Sequence, residues 1–430
     1  MSKHSNRVAI VQGLRTPFVK AATAYRSLDA LDLGRLVVAE LVQRSGIDPR
    51  SIDQLVYGTV IPSPKAANIA REVVLGTGLP RTIPAHSVSQ ACASSNQAIT
   101  SAADQIWRGY AEIAIAGGSE SLSTVPILFS REFSDTLVKA SKQKSLGGKL
   151  GAFTRVRPKH LVPDVPAIAE SATGLTMGQS CEIMAKQNGI TREAQDRFAL
   201  QSHLRAARAW KEGRFDNQVM RVVAPPMYDE AVKYDNMIRE DTTLEKLAEL
   251  RPVFDRSYGT ITAGNSSGLT DGASAVLMMS EKKANDLGLD PIGFIRAYAY
   301  AALDPFEQLL QGPAFAIPKA LDRAHLKLAD IGVVEMHEAF AAQVLSNIQW
   351  LGSKTFANER LDRADAVGEL DPEKINPTGG SIAIGHPFGA TGARIVTAVC
   401  HEMQRTGEQY GLVSVCAAGG QGSAIILERE

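Results

Sequence analysis

The chain has 430 residues, 44% hydrophobic and 21% charged, the balance of a globular enzyme. That length exceeds a single small core and sets an expectation of roughly two to four domain-sized units. Lysine plus arginine and aspartate plus glutamate each number 46, which excludes a global basic field for holding nucleic acid.

Arg7 to Val11 is rich in β-branched residues and stops at Gly13, as a strand does. Leu33, Leu36, Val37, Leu41 and Val42 recur at helical spacing before Gly46, and Leu55 to Val60 again reads as strand. Such alternation predicts stacked α/β layers. After Cys92, Ala93 to Arg108 is alanine-rich and helical, and Ala111 to Ala116 is a short buried strand running into Gly117 and Gly118. From about 122 to 262 the text is irregular and punctuated by prolines, with one clear helix. Thr191 is its N-cap, Glu193 lies in its first turn, and it runs to about Lys211. This region reads as an insertion covering a site. Further on, Ile331 to Met336 is strand-like, a glycine-rich segment containing His386 precedes an apolar helix from Ala393 to Met403, and Leu412 to Cys416 is a strand meeting Gly419 and Gly420. Strand, glycine turn and helix in the same order twice suggest two similar halves.

Met1 to Arg7 carries no apolar signal-peptide core, and no apolar stretch reaches the ~20 residues of a membrane span, so a cytoplasmic, bacterial protein is expected, with a processed organellar protein as the alternative. Cys92, Cys181, Cys400 and Cys416 are far apart, with no C-x-x-C pair. That spacing argues against a disulfide framework or a zinc site and for a reducing compartment.

Four segments place reactive side chains among small residues: Ser89 to Ser95 around Cys92, His337 to Ala341, Gly385 to Gly392 around His386, and Cys416 to Gly422. Two cysteines and two histidines in such settings are what Claisen-type chemistry on thioesters needs. One sulfur carries an acyl group, one moves a proton at carbon, and imidazoles activate the nucleophile and hold developing negative charge. Cys92 precedes a helix, whose partial positive charge is expected to lower its thiol pKa; the alternative is a buried structural cysteine. His386, in a tight turn, can take the Cys92 proton, or be a surface turn residue. No G-x-x-x-x-G-K-[ST] spacing accompanies it, which rejects nucleotide hydrolysis. Cys416 ends a strand where backbone N–H groups can form an oxyanion nest, or is a small core residue. His337 can order a water or donate to an oxyanion, or cap the alanine-rich helix it is read as starting. Glu338 suits a first helical turn. Cys181 and Cys400 read as packing residues.

Together and in this order, these motifs, with Ala263-Gly264-Asn265-Ser266-Ser267-Gly268, resemble the thiolase family over essentially the whole chain. The resemblance implies an α/β fold of two similar βαβαβαββ halves in five α-β-α-β-α layers. It places the N-terminal half at 1–121 and 263–280, an inserted loop domain at 122–262 that covers CoA and the acyl chain, and the C-terminal half at 281–430. It implies that Cys92 is acylated, that Cys416 protonates the departing acetyl-CoA carbanion, and that His386 activates Cys92 and serves the first oxyanion hole. The N–H groups of Cys92 and Ala418 would form the second hole. Ser267 would touch pantetheine, with Met177 and Phe340 near the acyl-pantetheine channel. CoA is then a substrate, and neither a metal nor a redox cofactor is implied.

Many thiolases have asparagine where this chain has His337, and His-Glu-Ala-Phe-Ala resembles the β-subunit of fatty-acid oxidation complexes. That implies a 3-ketoacyl-CoA thiolase of β-oxidation, at least dimeric, with an α-subunit carrying hydratase and dehydrogenase as a partner. Thr176 stands where short-chain thiolases often have a histidine, which weakens the alternative of an acetoacetyl-CoA thiolase. Ala417-Ala418 replaces the usual small-Gly pair. A decarboxylative ketoacyl synthase would not need the second cysteine, and a non-catalytic scaffold would not keep both cysteines and both histidines. From Arg131 to His160, eight Lys/Arg and two acids give a net charge of +6, and Phe129, Phe133 and Leu137 fall on one helical face. This segment, within 127–160, is expected to meet an α-subunit or an anionic membrane, or to be a solvated loop flanking the CoA phosphates.

Overall fold

The computed structural model describes residues 7–163, 169–226 and 228–430; residues 1–6, 164–168 and 227 of the expected domains lie outside them. The sheet strands are β1 (Val8–Arg15), β2 (Gln54–Gly58), β3 (Ala85–Val88), β4 (Ile113–Glu120), β5 (Thr270–Ser280), β6 (Gly293–Ala302), β7 (Val333–Met336), β8 (Tyr410–Ala417) and β9 (Gln421–Glu428). The helices around them are α1 (Ala30–Ser45), α2 (Ile69–Gly76), α3 (Ser94–Trp107), α4 (Met177–Gln187), α5 (Arg192–Lys211), α6 (Gly312–Ala324), α7 (Ala341–Leu351) and α8 (Thr391–Thr406).

The strand order β7-β8-β9-β6-β1-β5-β4-β2-β3 contains one pattern twice. In the first half β3, β2 and β4 run parallel, then β5 and β1 antiparallel. In the second half β7 and β8 are parallel, then β9 and β6 antiparallel, and a parallel bridge from Val334 to Ile375 occupies the place of β3. β1 and β6 join the halves, pairing Val8 with Ile295.

Alternate strand residues face opposite layers because the pleat has period 2. Ile113, Ile115, Leu277 and Met279 pack with Val37, Leu41 and Val73 of α1 and α2. Their neighbours Ala114, Ala116, Val276 and Met278 pack with Ile99 and Ile106 of α3 and with Val396 and Val399 of α8. The second half covers the same two helices with Val413, Val415, Ile425 and Leu427. It turns Leu412, Ala424 and Ile426 toward Ile317 and Leu321 of α6 and Val344 of α7. The result is five layers, helix-sheet-helix-sheet-helix, with α3 and α8 shared at the centre. Each fully buried Ile or Val there contributes roughly 1.5–3 kcal/mol of transfer free energy.

Local signals set the helix ends. Asp29 and Asp32 form a capping box before α1, and Gly46 ends it in the left-handed region. Thr191 caps α5 as expected from the sequence. Three expectations change. β4 runs through Gly117 and Gly118 to Glu120 rather than stopping at the glycines. A Cβ on Gly118 would stand 2.0 Å from the Gly389 carbonyl oxygen, so glycine here serves close approach rather than a turn. Between 122 and 262 the described residues hold five α-helices where the sequence predicts one; α4, capped by Thr176 with Gln179 reaching back, is among the other four. The helix after His337 starts only at Ala341.

Val125–Ala169 forms a compact unit of its own, and the chain from Glu170 onward belongs to the larger unit. Within the small unit, Arg131–Ser141 and Leu146–Ala152 are helical. Phe129 lies before the N-cap Ser130, so it is not on the helix face expected for it, but its ring meets Phe133 edge-on at 5.1 Å. No helix among the described residues is long and apolar enough to cross a membrane.

Candidate active site

Equivalent connections of the two halves deliver the two most reactive groups. Cys92 lies between β3 and α3, and His386 lies between the Ile375 bridge and α8. Each follows a residue with positive φ, Ala91 at 44° and Gly385 at 108°. These turns project the side chains toward each other across the central helix layer. Close approach of Gly389 to Ser119 and Gly58 seats the His386 loop against the first half.

His386 Nε2 lies 3.2 Å from Cys92 Sγ. On its far side, Nδ1 is 2.6 Å from Thr391 Oγ1, and the Thr391 hydroxyl donates to the Pro387 carbonyl at 3.2 Å. With its hydrogen used there, Thr391 Oγ1 accepts from Nδ1–H, and Nε2 faces the sulfur with a free lone pair. His337 packs beside it, ring centroids 4.0 Å apart. Its Nδ1 is 2.7 Å from Ser381 Oγ, which already accepts from Arg394 Nη2 at 3.1 Å. Arg394 can only donate, and Nδ1 is the acceptor that the Ser381 hydroxyl has within reach, so the hydroxyl hydrogen is assigned to Nδ1 and that of His337 to Nε2. That buried Nε2 has no protein partner. The two imidazoles thus hold opposite tautomers, one a base toward sulfur and the other a donor.

Electrostatics keep the set neutral at rest. Although one side of Cys92 is exposed, its apolar surroundings push the thiol up to about 12. The sequence predicts a lowered thiol pKa; the surroundings raise it instead, with desolvation of the thiolate as the largest cause. The N–H groups of Cys92 and Ala418 act the other way, both within reach of the sulfur. Burial lowers His386 to about 3 and holds His337 well below the usual histidine range. Cys416 is 1% exposed, and burial with the neighbouring Cys92 and Cys181 sulfurs raises its thiol far above normal.

Buried carboxylates and an arginine around the four reactive groups brace this centre. Glu335 and Arg394 form a buried ion pair at 3.2 Å. Charged residues interrupting the apolar run Val333 to Met336 and the apolar helix α8 were the available signal, since a buried charge needs a partner. Glu338 is not a helix-turn carboxylate. It is fully buried and accepts from Ser202 Oγ at 2.7 Å, Asn376 Nδ2 at 2.6 Å and the Ile382 N–H at 3.1 Å, tying the His337 loop to α5 and to the His386 loop. Nor does His337 cap a helix, since it lies four residues before α7. Glu120 accepts from the N–H groups of Val60, Ile61 and Gly389 and fastens the His386 loop to the first half.

Ser267 borders a cavity of about 680 Å³ with Ser266, Phe254, Lys20, Arg239 and Lys246 along its wall. The Ser267 N–H donates to the Ala339 carbonyl at 2.9 Å, which links the Ala263 to Gly268 segment to the His337 loop. Phe340 meets Phe254 edge-on at 5.9 Å, and Met177 packs against the apolar cluster that includes Phe340 and Cys416. Cys181 lies in that cluster and Cys400 in the central helix layer, both fully buried.

A duplicated five-layer fold with a cysteine-imidazole pair and a second buried cysteine defines a covalent acyl-transfer enzyme. Residues 8–282 match the thiolase N-terminal domain and 289–429 the thiolase C-terminal domain. The chain is 53% identical over 430 residues to 3-ketoacyl-CoA thiolases of Yersinia pestis (strain Pestoides F) and Yersinia pseudotuberculosis serotype O:1b (strain IP 31758), covering all of this chain and 98% of each. Among solved structures, it is similar to the Bacillus anthracis acetyl-CoA acetyltransferase, with TM-score 0.84, 34% identity and coverage of 99% and 100%. It is also similar to human mitochondrial 3-ketoacyl-CoA thiolase in complex with CoA, with TM-score 0.82, 30% identity and coverage of 99% and 98%. The chain belongs to the thiolase family and is an acyltransferase.

Proposed function

We propose that the protein cleaves 3-ketoacyl-CoA with CoA to acetyl-CoA and a shortened acyl-CoA, in the direction of fatty-acid β-oxidation. The observation that carries this reading is the 3.2 Å approach of Cys92 Sγ to a lone-pair-bearing His386 Nε2. As Sγ attacks the keto carbon, its proton passes to Nε2, so no free thiolate is needed beforehand. The Nε2–H groups of the two imidazoles face the negative charge that develops on the keto oxygen. The carbon–carbon bond breaks, acetyl-CoA leaves as its enolate, and Cys416 protonates it. CoA then enters, gives its thiol proton to the Cys416 thiolate, and takes the acyl group, whose oxyanion the Cys92 and Ala418 N–H groups hold, while His386 returns its proton to the departing Cys92 sulfur. CoA is a substrate, and the cavity beside Ser267, with Lys20, Arg239 and Lys246, suits its phosphates and pantetheine arm.

The test is the initial rate of CoA-dependent cleavage for substrates of four to sixteen carbons, with Cys92→Ala as control. A Cys92-dependent rate that rises with chain length supports the reading. A rate confined to acetoacetyl-CoA would replace it with a short-chain acetyltransferase.

We further propose a cytoplasmic enzyme, dimeric or larger, whose basic unit meets an α-subunit or an anionic membrane. Exposed Ile127, Leu128, Val138, Leu146 and Leu150 beside the lysines support this contact. Flotation with anionic vesicles, unchanged by charge reversal at Lys139, Lys142 and Lys144, would remove the membrane version.

A further inference from the structure

We propose that Cys92 Sγ and the Nε2 atoms of His337 and His386 form a binding site for a soft divalent cation of the zinc class. The sulfur and one nitrogen of each ring lie within 4.8 Å of one another. Both Nδ1 atoms are already held, by Ser381 and Thr391, so the Nε2 atoms are the ones available. His386 Nε2 is directed at the sulfur, and His337 Nε2 is buried without a protein partner.

A tetrahedral zinc ion, with bonds of about 2.3 Å to sulfur and about 2.0–2.1 Å to nitrogen, sets ligand atoms roughly 3.3–3.7 Å apart. The His386 Nε2 to Cys92 Sγ separation of 3.2 Å is already close to that range, and no separation in the group exceeds 4.8 Å. One thiolate and two imidazoles select zinc, cobalt or copper over magnesium or calcium, which require oxygen ligands. Hydroxyls on the outer nitrogens supply the orientation that metal-bound histidines need. Cys92 is partly exposed, so the ion has an entry side, and the fourth position is left to water. The spacing of cysteines along the chain gives no hint of such a site, because its ligands come from three distant segments.

On binding, the S–H bond breaks, its proton leaves to solvent, and the sulfur electron pair forms the bond to metal. The His337 ring hydrogen moves from Nε2 to Nδ1, where Ser381 Oγ accepts it. No electron is transferred. The reaction itself needs no metal; the occupied site instead withholds the sulfur from substrate.

Cobalt(II) is the probe, because thiolate coordination gives a near-ultraviolet charge-transfer band. The unmodified enzyme should develop that band with a 1:1 end point, and zinc should bleach it. Cys92→Ser should abolish the band, and His337→Asn should weaken cobalt affinity at least tenfold. His386→Asn serves as an independent variant, each variant being checked for native circular dichroism. No band in the unmodified enzyme, or an unaltered band in a folded Cys92→Ser or His337→Asn protein, overturns the site. Inhibition by zinc rests on the nucleophile reading above: a full cobalt band with an unchanged cleavage rate under zinc would overturn Cys92 as nucleophile and leave the metal site standing.

Discussion

Ser381 Oγ stands 2.7 Å from His337 Nδ1 while accepting a hydrogen bond from Arg394, and this double contact decides which nitrogen of His337 carries hydrogen. Through the Glu335–Arg394 pair, a charge fixed in β7 and α8 reaches the imidazole without touching substrate. Replacing Ser381 by alanine frees the tautomer. Expected is a fall in kcat/KM of about tenfold, less than the hundredfold or more for loss of an oxyanion donor itself. Ser381→Thr should recover most of it. Steady-state cleavage rates with a thermal melt decide: a lowered Tm with unchanged kcat/KM would make Ser381 structural only.

The Cys92 thiol, pushed up to about 12, and the His386 imidazole, lowered to about 3, leave the pair uncharged across neutral pH. The thiolate fraction then grows about tenfold per pH unit wherever pH is below the thiol pKa. Inactivation by iodoacetamide should therefore accelerate steadily from pH 7 to 9. A rate already level at neutral pH would mean a standing thiolate–imidazolium pair, contrary to this geometry.

Glu120 receives three backbone N–H groups, from Val60, Ile61 and Gly389. Above pH 7, to about which burial raises it, the carboxylate is ionised and both oxygens accept. Glu120→Gln turns an NH2 group toward backbone donors. Urea unfolding at pH 8 should show a loss of about 2 kcal/mol, the penalty for an unmet buried donor. An unchanged midpoint would mean that the loop repacks.

At the crossing of α3 and α8, a Cβ on Gly392 would lie 1.8 Å from Asn96 Oδ1 and 2.7 Å from the Asn96 backbone nitrogen. The backbone cannot yield as a flexible side chain would. Gly392→Ala should cost about 1–3 kcal/mol, and it should also lower cleavage activity by separating His386 from Cys92. Native stability with native activity would show that the helices slide freely.

Reading the chain recovers the strands that alternate in hydrophobicity and the helices with clear caps, because those signals are local. α5 is legible through Thr191 and its long helical run, and the repeat is legible as strand, glycine, helix in both halves. α4 is hard to read from the chain although Thr176 and Gln179 form a capping box, because it lies in a region punctuated by prolines. The glycines of β4 resemble a strand end in the sequence, whereas a Cβ on Gly117 would meet the Ser274 carbonyl and one on Gly118 the Gly389 carbonyl, both far away along the chain.

The sequence by itself determined which reactive groups exist, their order, and the small residues that give them room, since motif chemistry resides in neighbouring positions. Tertiary structure alone decided their states. The surroundings of Cys92 raise the thiol pKa that its place before a helix suggests would fall, because desolvating the thiolate is costly. Contacts with Thr391 and with Ser381 and Arg394 give the two imidazoles opposite tautomers, since a ring's free nitrogen is set by what holds the other one, and that partner is known only once the chain has folded.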